Sequence, residues 1–175
     1  MSDSNIEAQE PYHLGIFLDA GFVSHFNFEN ETRINIQRLV KMLVAEDDKV
    51  EPFAVVKVPP GQVSQGLSNY LSYLEQAGFS ITPYAESTQF KEVFWKTVSY
   101  EVIRNKFDVI ILITDKLRST DTVIVNNLEA LVEVEIVGTT ETIPYQFFFT
   151  EEDEERQIWN LKEILPSIQL TPLPV

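Results

Sequence analysis

Two apolar runs that each stop on an aspartate constrain this chain more than any other feature. The first is His13-Leu14-Gly15-Ile16-Phe17-Leu18-Asp19-Ala20-Gly21, and the second is Phe107-Asp108-Val109-Ile110-Ile111-Leu112-Ile113-Thr114-Asp115. Short runs this uniformly apolar suit strands covered on both faces, as in parallel sheets flanked by helices. In such open sheets the ligand crevice lies beyond the carboxyl ends of the strands. An aspartate closing the strand is therefore aimed at the crevice rather than the core. If the two strands are parallel neighbours, Asp19 and Asp115 face each other across one site.

The rest of the chain alternates strand and helix. Residues 21–30 predict a loop or short helix over the crevice. Ile34, Ile36, Leu39, Val40, Leu43 and Val44 then recur near helical spacing, with Arg33, Gln37, Arg38 and Lys41 between them, which predicts an amphipathic helix. Residues 52–58 read as a strand closed by Pro59-Pro60-Gly61, and residues 62–76 as a helix with Gly78 just past its end. A strand over 79–84 and a helix over 90–104 follow. Beyond Asp115 the pattern predicts a helix over 120–131 and a strand over 132–137 stopped by Gly138. This succession predicts one α/β domain over residues 13–165, with a central, mostly parallel sheet and helices on both faces in a Rossmann-like three-layer arrangement.

The two ends of the chain break the rhythm. Residues 1–12 have no periodicity and are expected to form a flexible arm. Residues 144–149 read as an aromatic edge strand, and Thr150-Glu151-Glu152-Asp153 as the start of a helix with carboxylates at its positive end. Ile158, Trp159, Leu161, Ile164 and Leu165 would form the apolar face of that helix before Pro166. Residues 166–175 read as a Pro-rich apolar tail that either packs on the body or extends to a protein partner or a second copy.

With 175 residues the chain is long enough to bury a core without cross-links, and it contains no cysteine, which removes disulfides, thiolate zinc sites and cysteine nucleophiles together. No run is long and apolar enough to span a bilayer, and the acidic start lacks the basic-then-apolar order of a signal peptide, so a cytoplasmic protein is expected. A formal net charge of -14, with Lys and Arg scattered singly, disfavours RNA, whose binding proteins carry a basic footprint.

The first strand is not followed by a phosphate-binding loop, since Asp19-Ala20-Gly21-Phe22 has neither dinucleotide spacing nor a Walker lysine. A receiver-like reading fails as well, because the next strand ends Lys57-Val58-Pro59 with no phosphoacceptor. His13 and His25 have no Ser or Glu beside them in a catalytic pattern. What Ile16-Phe17-Leu18-Asp19-Ala20-Gly21, Lys91 before a helix, and Asp108-Val109-Ile110-Ile111-Leu112-Ile113-Thr114-Asp115 do resemble is the first strand, middle helix and fourth strand of NYN domains, the PIN-like ribonuclease relatives that include the LabA-like proteins. The resemblance covers residues 14–138.

That resemblance implies a carboxylate cluster holding Mg²⁺ or Mn²⁺, with no other cofactor, and metal-activated attack of water on RNA. Asp19 and Asp115 occupy two of its positions. The Asn expected three residues after the first Asp falls on Phe22, the acid expected after Lys91 falls on Phe94, the next falls near Tyr100, and the second Asp of the fourth-strand motif falls on Leu117. Asp121, Glu92 and Glu101 are the carboxylates left to refill the cluster. The expectation is therefore a NYN/PIN-like domain with an eroded nuclease site, acting without catalysis as a regulatory or protein-interaction module, and the alternative is a ribonuclease with a rearranged cluster. In the first case Asp19 and Asp115 would serve as caps of the helices that follow their strands.

Overall fold

The computed structural model describes residues 10–170. Six strands form one sheet: β1 (His13–Asp19), β2 (Lys49–Lys57), β3 (Ser80–Tyr84), β4 (Val109–Ile113), β5 (Glu133–Gly138) and β6 (Ile158–Asn160). Their order is β3-β2-β1-β4-β5-β6, and every neighbouring pair is parallel. β1 and β4 are adjacent and central, as their two-sided apolarity predicts, with Ile16 opposite Ile111 and Leu18 opposite Ile113. The strand order reverses direction between them, which is where a doubly wound sheet opens its crevice.

Side-chain alternation divides the core into two layers. Ile16, Leu18, Ile111 and Ile113 meet α1 (Ala20–Glu29), α2 (Ile36–Leu43), α3 (Gln65–Gln76) and α6 (Leu161–Ile168). Phe17, Ile110, Leu112 and Ile136 meet α4 (Phe90–Asn105), α5 (Thr122–Glu129) and a 3-10 turn at Tyr145–Phe148. The chain is thus a three-layer, Rossmann-like α/β fold. Gly15 in β1 is required by the second layer, because a Cβ there would stand 2.8 Å from the Phe107 ring.

Helix starts follow local capping chemistry. The side chains of Asn35 and Ser64 accept the N–H groups of Arg38 and Leu67, so α2 and α3 begin two and three residues later than hydrophobic spacing alone places them. Gly78 takes the left-handed backbone that ends the α3 turn, with φ at 93°. No described helix is long and apolar enough to cross a membrane.

The segment after β5 departs from expectation. Residues 144–149 are not a strand, because Pro144 starts a tight 3-10 turn that buries Phe147 completely. Buried Arg156 holds that turn, donating to the Phe147 carbonyl and to both oxygens of Glu129 at the end of α5. Residues 150–153 do not open a helix. Glu151, Glu152, Glu154 and Glu155 would stack like charges at helical spacing. The chain instead turns back, with Asp153 left-handed at φ 57° and Thr150 N–H bonded to the Glu154 carbonyl at 2.8 Å. Ile158 and Trp159 belong to β6, and Asn160 then caps α6 by accepting the Lys162 N–H at 3.2 Å.

The boundaries assigned to the ends also shift. α6 continues through Pro166 to Ile168, whose carbonyl accepts the Asn35 N–H at 2.8 Å, and Gln169 bridges to Ile34. The first five residues of the expected tail are therefore part of the domain, and residues 171–175 lie outside the described residues. So does the expected arm up to residue 9, while Tyr12 N–H is bonded to Asp48 at 3.0 Å.

Candidate functional site

Asp19 closes β1 at the point where the strand order reverses, and it has no solvent exposure. Three donors surround it. The Phe22 N–H reaches Oδ1 at 3.2 Å, which makes Asp19 the N-cap of α1. The Thr114 hydroxyl donates to Oδ2 at 3.0 Å, and the Lys116 ammonium stands 3.5 Å from the same oxygen. Thr114 is oriented for this by accepting the Lys116 N–H at 3.1 Å, so the turn leaving β4 fixes its own hydroxyl against β1. Burial pushes the Asp19 carboxyl above its ordinary value of 3.8, against the pull of Lys116, the Phe22 N–H and Thr114.

A second lysine–carboxylate pair stands on the other layer. Asp121 ends the 3-10 turn Ser119–Asp121 and is 5% exposed. It accepts both contacts of the Lys91 ammonium, at 3.1 and 2.9 Å, and the Arg118 N–H at 2.8 Å. The two pairs are linked through Phe90, the residue before Lys91, because the Lys116 ammonium lies 4.2 Å from its ring centroid. Burial also raises the phenols of Tyr84, at the end of β3, and of Tyr70, which is pushed up to about 12, and the Asp19 charge adds to both.

Asp115 behaves differently from Asp19. It does not cap a helix, because Thr114 and Asp121 take the free N–H groups of the turn after β4. It is among the residues that line a depression beside α1, with Phe22, His25 and Thr139, and Asp19 is not. The two aspartates are close enough to repel, yet Asp19 spends its oxygens on the donors around it. Glu101 is elsewhere: ten residues along α4 from Lys91, about 15 Å of helix, its carboxylate accepts the Asn105 side-chain amide at 2.5 Å. Glu92 is exposed on the first turn of α4.

Likeness in shape adds only the fold. No protein-family model and no curated protein matches this sequence. Among solved structures, the chain is similar to a protein of unknown function, VPA0982, from Vibrio parahaemolyticus RIMD 2210633, at a TM-score of 0.71 and 10% identity, over 94% of this chain and 100% of the other.

The residues present do not fit a carboxylate-held divalent ion. Such an ion needs several oxygens converging from different elements. Among the described residues no three His, Asp or Glu side chains are grouped to share one. Asp19 and Asp121 each face a lysine where a metal would need open lone pairs. Phe94 and Leu117, the substitutions at two expected acidic positions, point away from the crevice into the second core layer, where Phe94 stacks on Phe90 at 5.3 Å. Sequence reasoning singled out Lys91 but missed the roles of Thr114 and Lys116. The available signal was their position, flanking Asp115 at the end of the most apolar strand.

Proposed function

We propose that this chain is a NYN/PIN-like module that works by binding, as a regulatory or protein-interaction element, and that its would-be metal cluster has been replaced by lysine–carboxylate pairs. The observation that carries this reading is the enclosure of Asp19 by Lys116, Thr114 and the Phe22 N–H. A carboxylate with no exposure and these three donors around its oxygens lacks the open lone pairs that a hydrated cation needs. The net charge of -14 further opposes the approach of an RNA backbone.

The test is cleavage of single-stranded and structured RNA in Mg²⁺ or Mn²⁺ by the wild-type chain, Asp19→Asn and Asp115→Asn. The expected result is no metal-dependent product above buffer for any of the three. Cleavage by the wild type that both substitutions abolish would establish the ribonuclease instead. On the binding side, affinity capture with the intact chain should retain a stoichiometric protein partner or reveal self-association.

A further inference from the structure

α4 carries apolar side chains on both of its faces. Phe94, Trp95, Val98 and Val102 pack the inner face on the sheet. On the outer face Tyr100 keeps 60% of its exposure and Ile103 keeps 72%. A helix that is apolar all round is ordinarily covered on all sides, and this one holds two large side chains in water. Val93, Lys96, Tyr100 and Ile103 follow one another at steps of three, four and three residues, which sets them in one stripe along the helix. Glu92 stands at the start of the stripe, and Arg104 and Lys106 stand at its end. The side chains of Glu92, Lys96, Arg104 and Lys106 have no hydrogen-bond or ion-pair partner among the described residues.

A surface that covers this stripe must offer bases to its first turn, an acid to its last turn and apolar groups between. The stripe itself does so when turned end for end. An antiparallel second α4 sets Val93 beside Ile103 and Lys96 beside Tyr100, because both pairs are centred on the level of residue 98. The same rotation brings the Glu92 end of each helix to the Arg104 and Lys106 end of the other. The Tyr100 ring can then take the Lys96 ammonium on its face, and the two helix dipoles oppose each other. Charge also favours this face over the others. At a net charge of -14 two copies repel over most of their surface, and the repulsion is least where Lys96, Arg104 and Lys106 outnumber Glu92.

We propose that α4 is a two-fold contact through which the chain pairs with a second copy of itself, helix against antiparallel helix. Each copy then contributes the same patch, as a closed dimer requires. The proposal rests on the reading of the chain as a protein-interaction module and names the partner. α4 has 16 residues and is about 24 Å long, so the contact lies near the small end of specific interfaces and the dimer should be weak and reversible.

Sedimentation velocity of the full chain over a wide range of concentration should show a monomer in equilibrium with a dimer. Ile103→Asp and Tyr100→Asp should each weaken the dimer by about tenfold or more. Both side chains are exposed, so the melting temperature of the monomer should stay nearly the same. Phe28→Asp makes the same charge change on α1, in the opposite layer, at a side chain 84% exposed, and should leave the dimer as it is. The direction of the helices is read by cross-linking, since the chain has no cysteine of its own. Under mild oxidation a mixture of Val93→Cys and Ile103→Cys should form a disulfide between unlike copies. Either variant alone should not, because its two sulfurs stand about 15 Å apart along the helices. A chain that stays monomeric, a dimer that Ile103→Asp leaves intact, or cross-linking within either variant alone would overturn the contact. These outcomes bear on the contact only, whereas metal-dependent RNA cleavage would overturn the interaction-module reading and leave the dimer standing.

Discussion

The Lys116 ammonium lies 3.5 Å from Oδ2 of Asp19, so a lysine whose side chain keeps 43% of its exposure neutralises an aspartate that has none. The pair spans two neighbouring strands of the sheet, and it lets β1 end on a carboxylate inside the protein. Its energetics are asymmetric. Lys116 can retreat into water if its partner is lost, whereas Asp19 cannot.

Lys116→Met should therefore destabilise the protein by about 1–2 kcal/mol at neutral pH, less than the full cost of breaking a buried pair because the lysine is partly solvated. The cost should shrink toward acid, where Asp19 takes up a proton and no longer needs the cation. Urea denaturation at two pH values measures both effects.

Asp19→Asn isolates the pH dependence. Burial raises the folded-state carboxyl above 3.8, so the folded protein holds this proton more tightly than the unfolded chain does. The associated stability is complete below 3.8 and is lost as pH rises through the higher, folded value. Glu135, raised first by burial and then by Glu133, acts in the same direction. The stability of Asp19→Asn relative to wild type should thus increase from acid to neutral pH, and a constant difference across that range would contradict the assignment.

Arg156→Leu should cost about 3–5 kcal/mol, since it strands Glu129 and frees the Phe147 carbonyl in a buried turn. Arg156→Lys should recover only part of this, because one ammonium cannot reproduce the planar fork across two acceptors on different elements. The midpoints of denaturation for the two variants would show the difference.

Ile168→Ala should destabilise by about 2–5 kcal/mol, the range for truncating a buried branched side chain. Stopping the chain after residue 165 should do at least as much harm, since it also removes the carbonyl that accepts the Asn35 N–H. Thermal melting of both forms decides whether α6 closes the core or merely lies on it.

Where sequence and structure agree, the information was local. β4 is legible because Val109–Ile113 is apolar on both faces, and only a doubly covered strand explains that. The end of α3 is legible because Gly78 follows it. The aromatic run 147–149 was recognisable as apolar, but its turn depends on Arg156, whose grip on Glu129 joins residues 27 positions apart. The site divides the same way. Asp19 could be placed at a strand end, yet Lys116 becomes its partner only through the pairing of β1 with β4. Lys91 finds Asp121 across 30 positions, and no periodicity carries that contact.

The strand made first is also the one that finishes in the middle. β1 can pair with β2 early in synthesis, but its other edge meets no partner until Val109–Ile113 has been added. Until then a nascent chain, or any fragment ending before residue 109, exposes a row of unpaired backbone groups flanked by Ile16, Phe17 and Leu18. Such an edge is a template for adding a strand from another copy. Interrupted translation or proteolysis in the loop ahead of β4 should therefore yield aggregates rather than a smaller folded unit, and prompt delivery of β4 is a condition for completing the sheet.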